Sequence, residues 1–471
     1  MTRRILETEQ KALEINLDEP IYGAFAEIGA GQEVARHFFQ VGAAAGTIAK
    51  SMSAYDKTVS DEIYGPEQAG KGRYVCESRL YKMLDHEYLL MESRLRKERP
   101  AHTFFAFADT VAAINFTRTI KGDGWLGLRF QISPGGGYND LIVHVKLLDQ
   151  DNRLQQQAIG ILGVNMIYGA FRYTKDPEVF IHSLLDNLRG RAQIDLVRLN
   201  GTDFEQVDNR LICLWMVKHQ LTNVAIFGPD GNSKHAGEFL YRKSILIARG
   251  SYRPPTLVQQ DMITGTFEQF VKEPDVERSK ANFMVEITLE NLVKGKEKVD
   301  ERDYLDRVDL LCALGQTVIV SNCVRHKHLI SYFLDFKVPR IGLAMGIRKL
   351  ETIMRETCDQ NPDNLLAAFG EIFPRNVRFY AYPAQDDNSS ELRTSSNLKI
   401  PREIHVLYDY LLENGNIVDV KVFDKSNLQI YQAQVLAMLQ EGKSGWEELV
   451  PKAVATEIKA KQLFGYKNSI S

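Results

Sequence analysis

From about residue 192 to residue 382 the chain alternates short runs rich in β-branched residues with helix-patterned segments, and this alternation constrains the fold more than any other feature. QIDLVRL, NVAIF, SILIA, NFMVEITL, TVIVS, RIGLAM and VRFYAYP read as strands. RLICLWMVKHQL, TLVQQDMITGTFEQFV, DYLDRVDLLCALG and HLISYFLDF read as the helices between them. Strands separated by helices of that length build βαβ units, so a mainly parallel α/β sheet is expected over residues 191–385. A doubly wound sheet and a closed barrel produce the same alternation, and both stay open at this point.

The N-terminal part has a different rhythm. Residues 3–17 carry Leu6, Leu13 and Leu17 at helical spacing before Pro20. The segment 74–99, YVCESRLYKMLDHEYLLMESRLRKER, predicts a long amphipathic helix that runs unbroken to Pro100. FFAFADTVAAI, GWLGLRFQI and DLIVHVKLL, separated by the turn-rich GDG and PGGGYND, predict an antiparallel meander. AIGILGVNMIYGAF (158–171) is too short and too glycine-rich to span a membrane and reads as a buried helix. Asp176 and Pro177 then suit the cap and first turn of another. These features give an α+β domain over residues 1–190. The polar stretch QDDNSSELRTSSN (385–397) is expected to separate the parallel domain from a mainly helical C-terminal segment, 398–471. A chain of 471 residues accommodates two or three such domains.

Charge narrows the partners. With 58 basic and 61 acidic side chains the net charge is -3, which supplies no global field for nucleic acid or anionic lipid, so neither is an expected partner. The N-terminus lacks the continuous apolar core of an export signal, and a cytoplasmic location is expected. The five cysteines form no C-x-x-C pair and no zinc spacing, which predicts free thiols in a reducing compartment and no metal site. No G-x-S-x-G elbow, Walker loop or H-E-x-x-H helix is present, and no motif identifies a cofactor.

Four places carry candidate chemistry. In EIGAGQEVARHFF a strand-like run meets a turn with Gly29 and Gly31, which either brings backbone N–H groups to an anion or is a structural turn. The same turn resembles the E-x-G-x-G of S-adenosylmethionine-dependent methyltransferases, with Glu27, Gly29 and Gly31 at the matching places. In AGTIAKSMSAYD, Lys50 stands among small residues and hydroxyls, as a base or nucleophile or as part of a closely packed small-residue helix. Asp109 and His144 lie inside apolar strand-like runs, where an ionisable group is either paired structurally or kept for acid–base work.

The fourth place is a set of basic loops after consecutive strands. These are RGSYRPP with Arg249, Ser251 and Arg253, NCVRHKH with Asn322, Arg325 and His326, and GIRK with Gly346, Arg348 and Lys349. In a parallel α/β fold such loops gather at the carboxyl end of the sheet, where cations beginning a helix oppose its dipole unless an anion joins them. The expected ligand is therefore a small phosphate or carboxylate. The expected function is an enzyme, a transferase, acting on a phosphorylated or nucleotide-like metabolite. The alternative is a non-catalytic scaffold that self-assembles through the 74–99 helix, which implies a homo-oligomer.

The strings YGAFAEIGAGQEVARHFF, AAGTIAKSMSAYD, FFAFADTVAA, QQAIGILGVNMIYGAF, DLLCALGQTVIVSN and WEELVPKAV resemble a family of bacterial proteins of about this length, over nearly the whole chain. Its members often carry the labels TonB-dependent receptor or nicotinate-nucleotide adenylyltransferase. The motifs support neither label. A receptor barrel needs many lipid-facing strands of about ten residues. The nucleotidyltransferase needs H-x-G-H and I-S-S-T-x-x-R, and this chain has EIGAG and TSSNLK instead. The resemblance carries over no catalytic residue and is compatible with a nucleotide-like ligand.

Overall fold

The computed structural model describes residues 3–67, 74–118, 121–293, 298–385 and 391–467, and the chain divides into two compact units, Met1–Ala225 and Ile226–Ser471. Unit 1 runs α1 (Thr8–Asn16), β1 (Ile21–Gly29), α2 (Val34–Gln40), β2 (Ile48–Met52), α3 (Lys57–Tyr64), α4 (Glu77–Leu95), β3 (Thr103–Ala112), β4 (Asp123–Phe130) and β5 (Asn139–Leu147). It continues with α5 (Asn152–Arg172), α6 (Pro177–Ser183), β6 (Ala192–Gly201) and α7 (Asn209–Lys218). Its sheet has the order β2-β1-β3-β4-β5-β6. The first three strands are parallel, and the expected meander β3-β4-β5 is antiparallel.

Successive strand residues face opposite sides, and both sides are covered. Phe25, Phe105, Phe107 and Val143 enter one core with side chains of α1, α2 and α5. Ala24, Ala106, Ala108 and Trp125 enter a second with Leu80, Met83 and Leu84 of α4. This double burial is why β3 is apolar along most of its length rather than alternating. α4 uses its apolar stripe on the sheet. Asp176 caps α6 as expected, accepting from the Val179 N–H at 3.1 Å.

Two expectations for this half are corrected. QIDLVRL does not open the parallel half: as β6 it pairs antiparallel with β5 along its whole length, so the chain divides near residue 225 rather than 190. The alternation marks a strand without saying which sheet it joins. IAKSM is not a small-residue helix but the edge strand β2, parallel to β1, because pairing with an open sheet edge outweighs weak local propensity.

Unit 2 begins within β7 (Val224–Phe227) and continues with α8 (Ala236–Phe239), β8 (Ser244–Arg249), α9 (Leu257–Phe270), β9 (Ala281–Thr288), α10 (Leu289–Val293), α11 (Glu301–Ala313), β10 (Thr317–Ser321), α12 (His326–Leu334) and β11 (Ile341–Gly346). Then come α13 (Ile347–Gln360), α14 (Leu365–Ile372), β12 (Val377–Tyr382), the short β13 (Ala384–Gln385) and β14 (Leu392–Arg393), α15 (His405–Glu413), β15 (Ile417–Asp419), α16 (Gln432–Glu441) and α17 (Lys452–Lys461). The seven-stranded sheet has the order β15-β12-β11-β8-β9-β10-β7, and its strands from β15 to β10 are parallel.

The sheet is open, which decides for the doubly wound alternative over the barrel. Numbered in chain order from β8, its six parallel strands lie as 3-2-1-4-5-6, so the order reverses between β8 and β11. Helices cover both faces: Tyr380 packs edge-on against Phe270 of α9, whereas its neighbour Phe379, facing the other way, meets His326 at the start of α12 and Phe373 just after α14. The C-terminal segment is mainly helical but not separate, since β15 joins the sheet edge beside β12. Within the stretch 385–397, residues 386–390 lie outside the described residues, and β13 pairs with β14 across them. All five cysteines are free, and three are buried. Among the described residues no helix is long and apolar enough to cross a membrane.

Candidate functional site

The loops after β8 and β11 part at the point where the strand order reverses, and a cavity of about 930 Å³ lies there. Crevices of this kind at the carboxyl ends of parallel strands are where open α/β sheets take their ligands. Arg249, Ser251 and Arg253 line it from the first loop, His326 from the first turn of α12, and Lys349 from the first turn of α13. Each of the three basic loops therefore gives at least one lining residue to this cavity.

Each cation has a different status. Arg249 ends β8 opposite Glu286 of β9 and grips that carboxylate with two nitrogens, at 2.7 and 3.0 Å. Its remaining nitrogen donates to the Val324 carbonyl at 2.9 Å, and Ser321 of β10 donates to Glu286 at 2.5 Å. Arg249 is thus spent on a buried pair that ties three strand ends together. Arg253 and Arg307 share a single carboxylate, Asp303, each at 2.5 Å. Arg307 also donates to the carbonyls of Ser251 and Asn291, at 3.0 and 3.3 Å, across the crevice wall. Lys349 has no hydrogen-bond or ion-pair partner among the described residues. Two guanidiniums on one carboxylate and one unpaired ammonium, set against the exposed carboxylate of Glu290 on the same lining, leave the crevice with one surplus positive charge.

Two further features suit an anion. α13 starts at Gly346 with no side chain capping its first N–H groups, and a Cβ on Gly346 would meet nothing within 4 Å, so that end of the helix opens into free space. His326 is only 7% exposed and has no hydrogen-bond partner among the described residues. Burial, with the charges of Arg249 and Lys349 added, holds its pKa well below the ordinary histidine value. This corrects the expectation that His326 acts as a cation: it is a neutral imidazole on the crevice wall. Arg325 lines a smaller adjoining cavity instead, and Asn322 is exposed beside β10 and lines neither.

Arg307 and Asp303 had no local signal, because a charged pair four residues apart on a helix ordinarily faces water. Gln432 of α16 also lines the crevice, bonding to Ser251 and to the Pro254 carbonyl. It comes from the segment expected to stand apart.

The candidates of unit 1 do not assemble. Lys50 pairs with the buried Glu87 at 2.5 Å, and Tyr64 donates to the same carboxylate at 2.9 Å, so Lys50 serves structure. His144 bonds to Asp195 at 2.6 Å. Burial opposes its charge, yet Asp195 and Asp123 raise its pKa to about 9. Asp109 lies on the opposite face of the sheet from His144, since Asp109 follows Phe105 and Phe107 whereas His144 packs on Trp125. A shared catalytic role for Lys50, Asp109 and His144 is therefore ruled out by geometry.

The EIGAG turn is structural. Gly29 has φ +77°, and a Cβ there would lie 2.3 Å from the Val111 carbonyl oxygen; one on Gly31 would lie 1.9 Å from Asp109 Oδ1. Glu27 accepts from the Val34 and Ala35 N–H groups, at 2.8 and 3.4 Å, and so fills the start of α2 itself. A cavity of about 520 Å³ beside the turn is lined by Glu27, Arg36 and Ser51, but Glu27 already takes the α2 N–H groups that an anion there would need. Gly29 and Gly31 are thereby corrected from anion ligands to packing residues, and the methyltransferase alternative loses the turn on which it rested.

Glu27 and Asp109 are register partners on β1 and β3, and the pair is unusual chemically. Burial and then the Glu27 charge push Asp109 well above the ordinary carboxyl value, and burial lifts Glu27 to about 7. Unfolded carboxyls ionise near pH ~4. Between there and about 7 the folded chain holds more protons, so the pair's contribution to stability is fully present below the unfolded value and is lost as pH rises. Asp109→Asn, which has no proton to lose, is expected to reduce that slope when urea unfolding is followed at stepped pH. An unchanged slope would mean that Asp109 is ionised in the folded chain.

No family model matches this chain, and no curated protein matches it. Solved structures similar to part of it include the competence/damage inducible protein CihA from Agrobacterium tumefaciens, at 14% identity, 36% of this chain, 97% of that one and a TM-score of 0.25. Another is a Competence-Damaged Protein (CinA) superfamily protein from Klebsiella pneumoniae, at 11% identity, 35% and 96% coverage and a TM-score of 0.26. A third, a CinA superfamily protein from Escherichia coli, is 12% identical over 34% of this chain and 90% of that one, with a TM-score of 0.23. Likeness at this level carries no argument about function.

Proposed function

We propose that unit 2 binds a phosphorylated or nucleotide-like metabolite in the crevice between the β8 and β11 loops, and that the protein is a transferase acting on it. The observation that supports this reading is the convergence of Arg253, Arg307 and Lys349 on one cavity, against a buried carboxylate, Asp303, between the two arginines and one exposed carboxylate, Glu290, on the lining. A dianionic phosphate would neutralise the surplus charge and accept from the open N–H groups of α13. A diffusible metabolite as ligand suits the cytoplasmic location expected from the sequence.

Inorganic phosphate and sugar phosphates should raise the thermal stability of the purified full-length protein, by about 2.7 kcal/mol at a hundred times the Kd. Lys349→Ala should weaken that binding about 10- to 100-fold, the range of a lost charge-assisted hydrogen bond, without lowering the melting temperature of the free protein. Group transfer from a bound phosphorylated compound would then be sought by phosphorus magnetic resonance. Phosphate binding that is absent, or that is indifferent to Lys349, would remove the basis of the reading.

A further inference from the structure

The crevice continues into a second cavity, of about 270 Å³, and Glu290, Val324, His326 and Lys349 line both. β9 lies between β8 and β10 in the sheet, and Arg249 at the end of β8 holds the Val324 carbonyl at 2.9 Å. That bond draws the start of α12 across the end of β9 to the crevice. Arg325 at the cap of α12, His326 and Lys327 in its first turn, and Lys349 in the first turn of α13 all line the second cavity. Neither helix has a side chain capping its first N–H groups. α9, which also follows a strand of this sheet, is closed by a capping box of Thr256 and Gln259. α16 adds another uncapped start, through Gln432 and Ala433, on the first cavity alone. Open N–H groups and a positive helix end thus face each cavity, as an anion requires.

The start of α12 alone could be satisfied by water, but His326 adds an independent demand for a ligand. Its imidazole is only 7% exposed, lines both cavities and has no hydrogen-bond partner among the described residues. Buried polar groups are seldom left without a partner, and a neutral imidazole offers one N–H and one acceptor. The charges of the second cavity are sorted along α13. Arg325 and Lys349, both exposed and unpaired among the described residues, stand at the helix starts, with Lys327 paired to Glu371 at 2.7 Å. The opposing Glu356 lies two turns beyond Lys349, about 10 Å further along the axis. Glu290 is the only carboxylate on the wall common to both cavities, and it is exposed, where water and salt screen its repulsion.

We infer that the ligand carries two phosphate groups, one among Arg253, Arg307 and the start of α13, the other at the start of α12 with Arg325 and His326. The inference rests on the proposed phosphate-binding reading of the crevice and goes beyond it in the number and placement of the anionic groups. The second phosphate accepts from the first N–H groups of α12, from the Arg325 guanidinium and from the His326 imidazole. Lys349 lines both positions and serves the pair. A single phosphate in the first cavity would leave His326 and the start of α12 without an anion.

Titration calorimetry on the full-length protein in metal-free buffer, with inorganic phosphate, methylenediphosphonate, fructose 6-phosphate and fructose 1,6-bisphosphate, separates the possibilities. The expected result is that at least one doubly anionic compound binds about tenfold or more tighter than its single counterpart, a difference of about 1.4 kcal/mol. Whether the diphosphonate or the bisphosphate shows it tells whether the two groups are adjacent or separated by a sugar. Arg325→Ala removes an exposed side chain, so it should fold as the parent does and reduce that advantage about threefold or more. His326→Pro removes the imidazole and one N–H together, at the first helical position, where proline is tolerated, and should reduce it further. If the single phosphates bind but the doubly anionic compounds bind no tighter, or if either folded variant keeps the full advantage, the inference is overturned and the first anion site stands. If none of the four binds, the anion site falls and the inference with it.

Discussion

Glu286→Ala is expected to destabilise unit 2 by about 3–5 kcal/mol, the range measured when one partner of a buried ion pair is removed. Glu286 is fully buried, and it accepts from both Arg249 nitrogens and from Ser321. Deleting it leaves a guanidinium and a hydroxyl facing each other without an acceptor at the ends of three adjacent strands. Glu286→Gln keeps one acceptor and the shape but loses the charge, and it should cost less. The double variant Arg249→Met/Glu286→Leu removes both charges and should recover most of the loss, because the penalty comes from the stranded cation rather than from the absent attraction. Urea unfolding of the four proteins measures all three differences. If the alanine variant lies within about 1 kcal/mol of the parent, Arg249 finds another partner and the strand-end anchor is not what holds the crevice wall.

The second large effect belongs to unit 1. Gly31→Ala should destabilise by about 3 kcal/mol, at the upper end of ordinary overpacking. Its Cβ would come within 1.9 Å of Asp109 Oδ1, and Asp109 is fully buried on a central strand with little room to retreat. The clash has a specific relief. Asp109→Ala removes the obstructing carboxyl together with the unfavourable burial of an ionisable group, so the pair of substitutions should be far less harmful than the sum of the two. Strict additivity in chemical denaturation would show that the alanine at 31 acts through the backbone of the turn instead.

These two sites also illustrate how far sequence reasoning reaches. Arg249, Arg253 and the loop residues around them were legible because strand and helix alternate with a regular period. In a parallel fold that period alone sends every loop after a strand to the same end of the sheet. Arg307 and Gln432 were not legible, since each is reached through a helix whose orientation depends on what it packs against. The Gly-x-Gly turn was legible as a turn, but its chemistry was not. Whether two glycines admit a phosphate or a neighbouring strand depends on which strand pairs with β1, and here that strand carries Asp109.

The neutrality of His326 and the proton held by the Glu27 and Asp109 pair are of the same kind. Both follow from burial and from charges brought together out of distant parts of the chain.

What the sequence by itself determined is local and periodic: the existence of the strands and helices, the meander, the buried α5, and the basic loops that follow strands. Hydrophobic period and turn residues act over a few neighbours, so one chain suffices to read them. What only the tertiary structure decided is pairing: β6 with the first sheet rather than the second, β15 with the edge of β12, an open sheet instead of a barrel, and which cations meet a carboxylate and which stay unpaired. Those outcomes depend on contacts between residues far apart in the chain, whose energies no local pattern encodes.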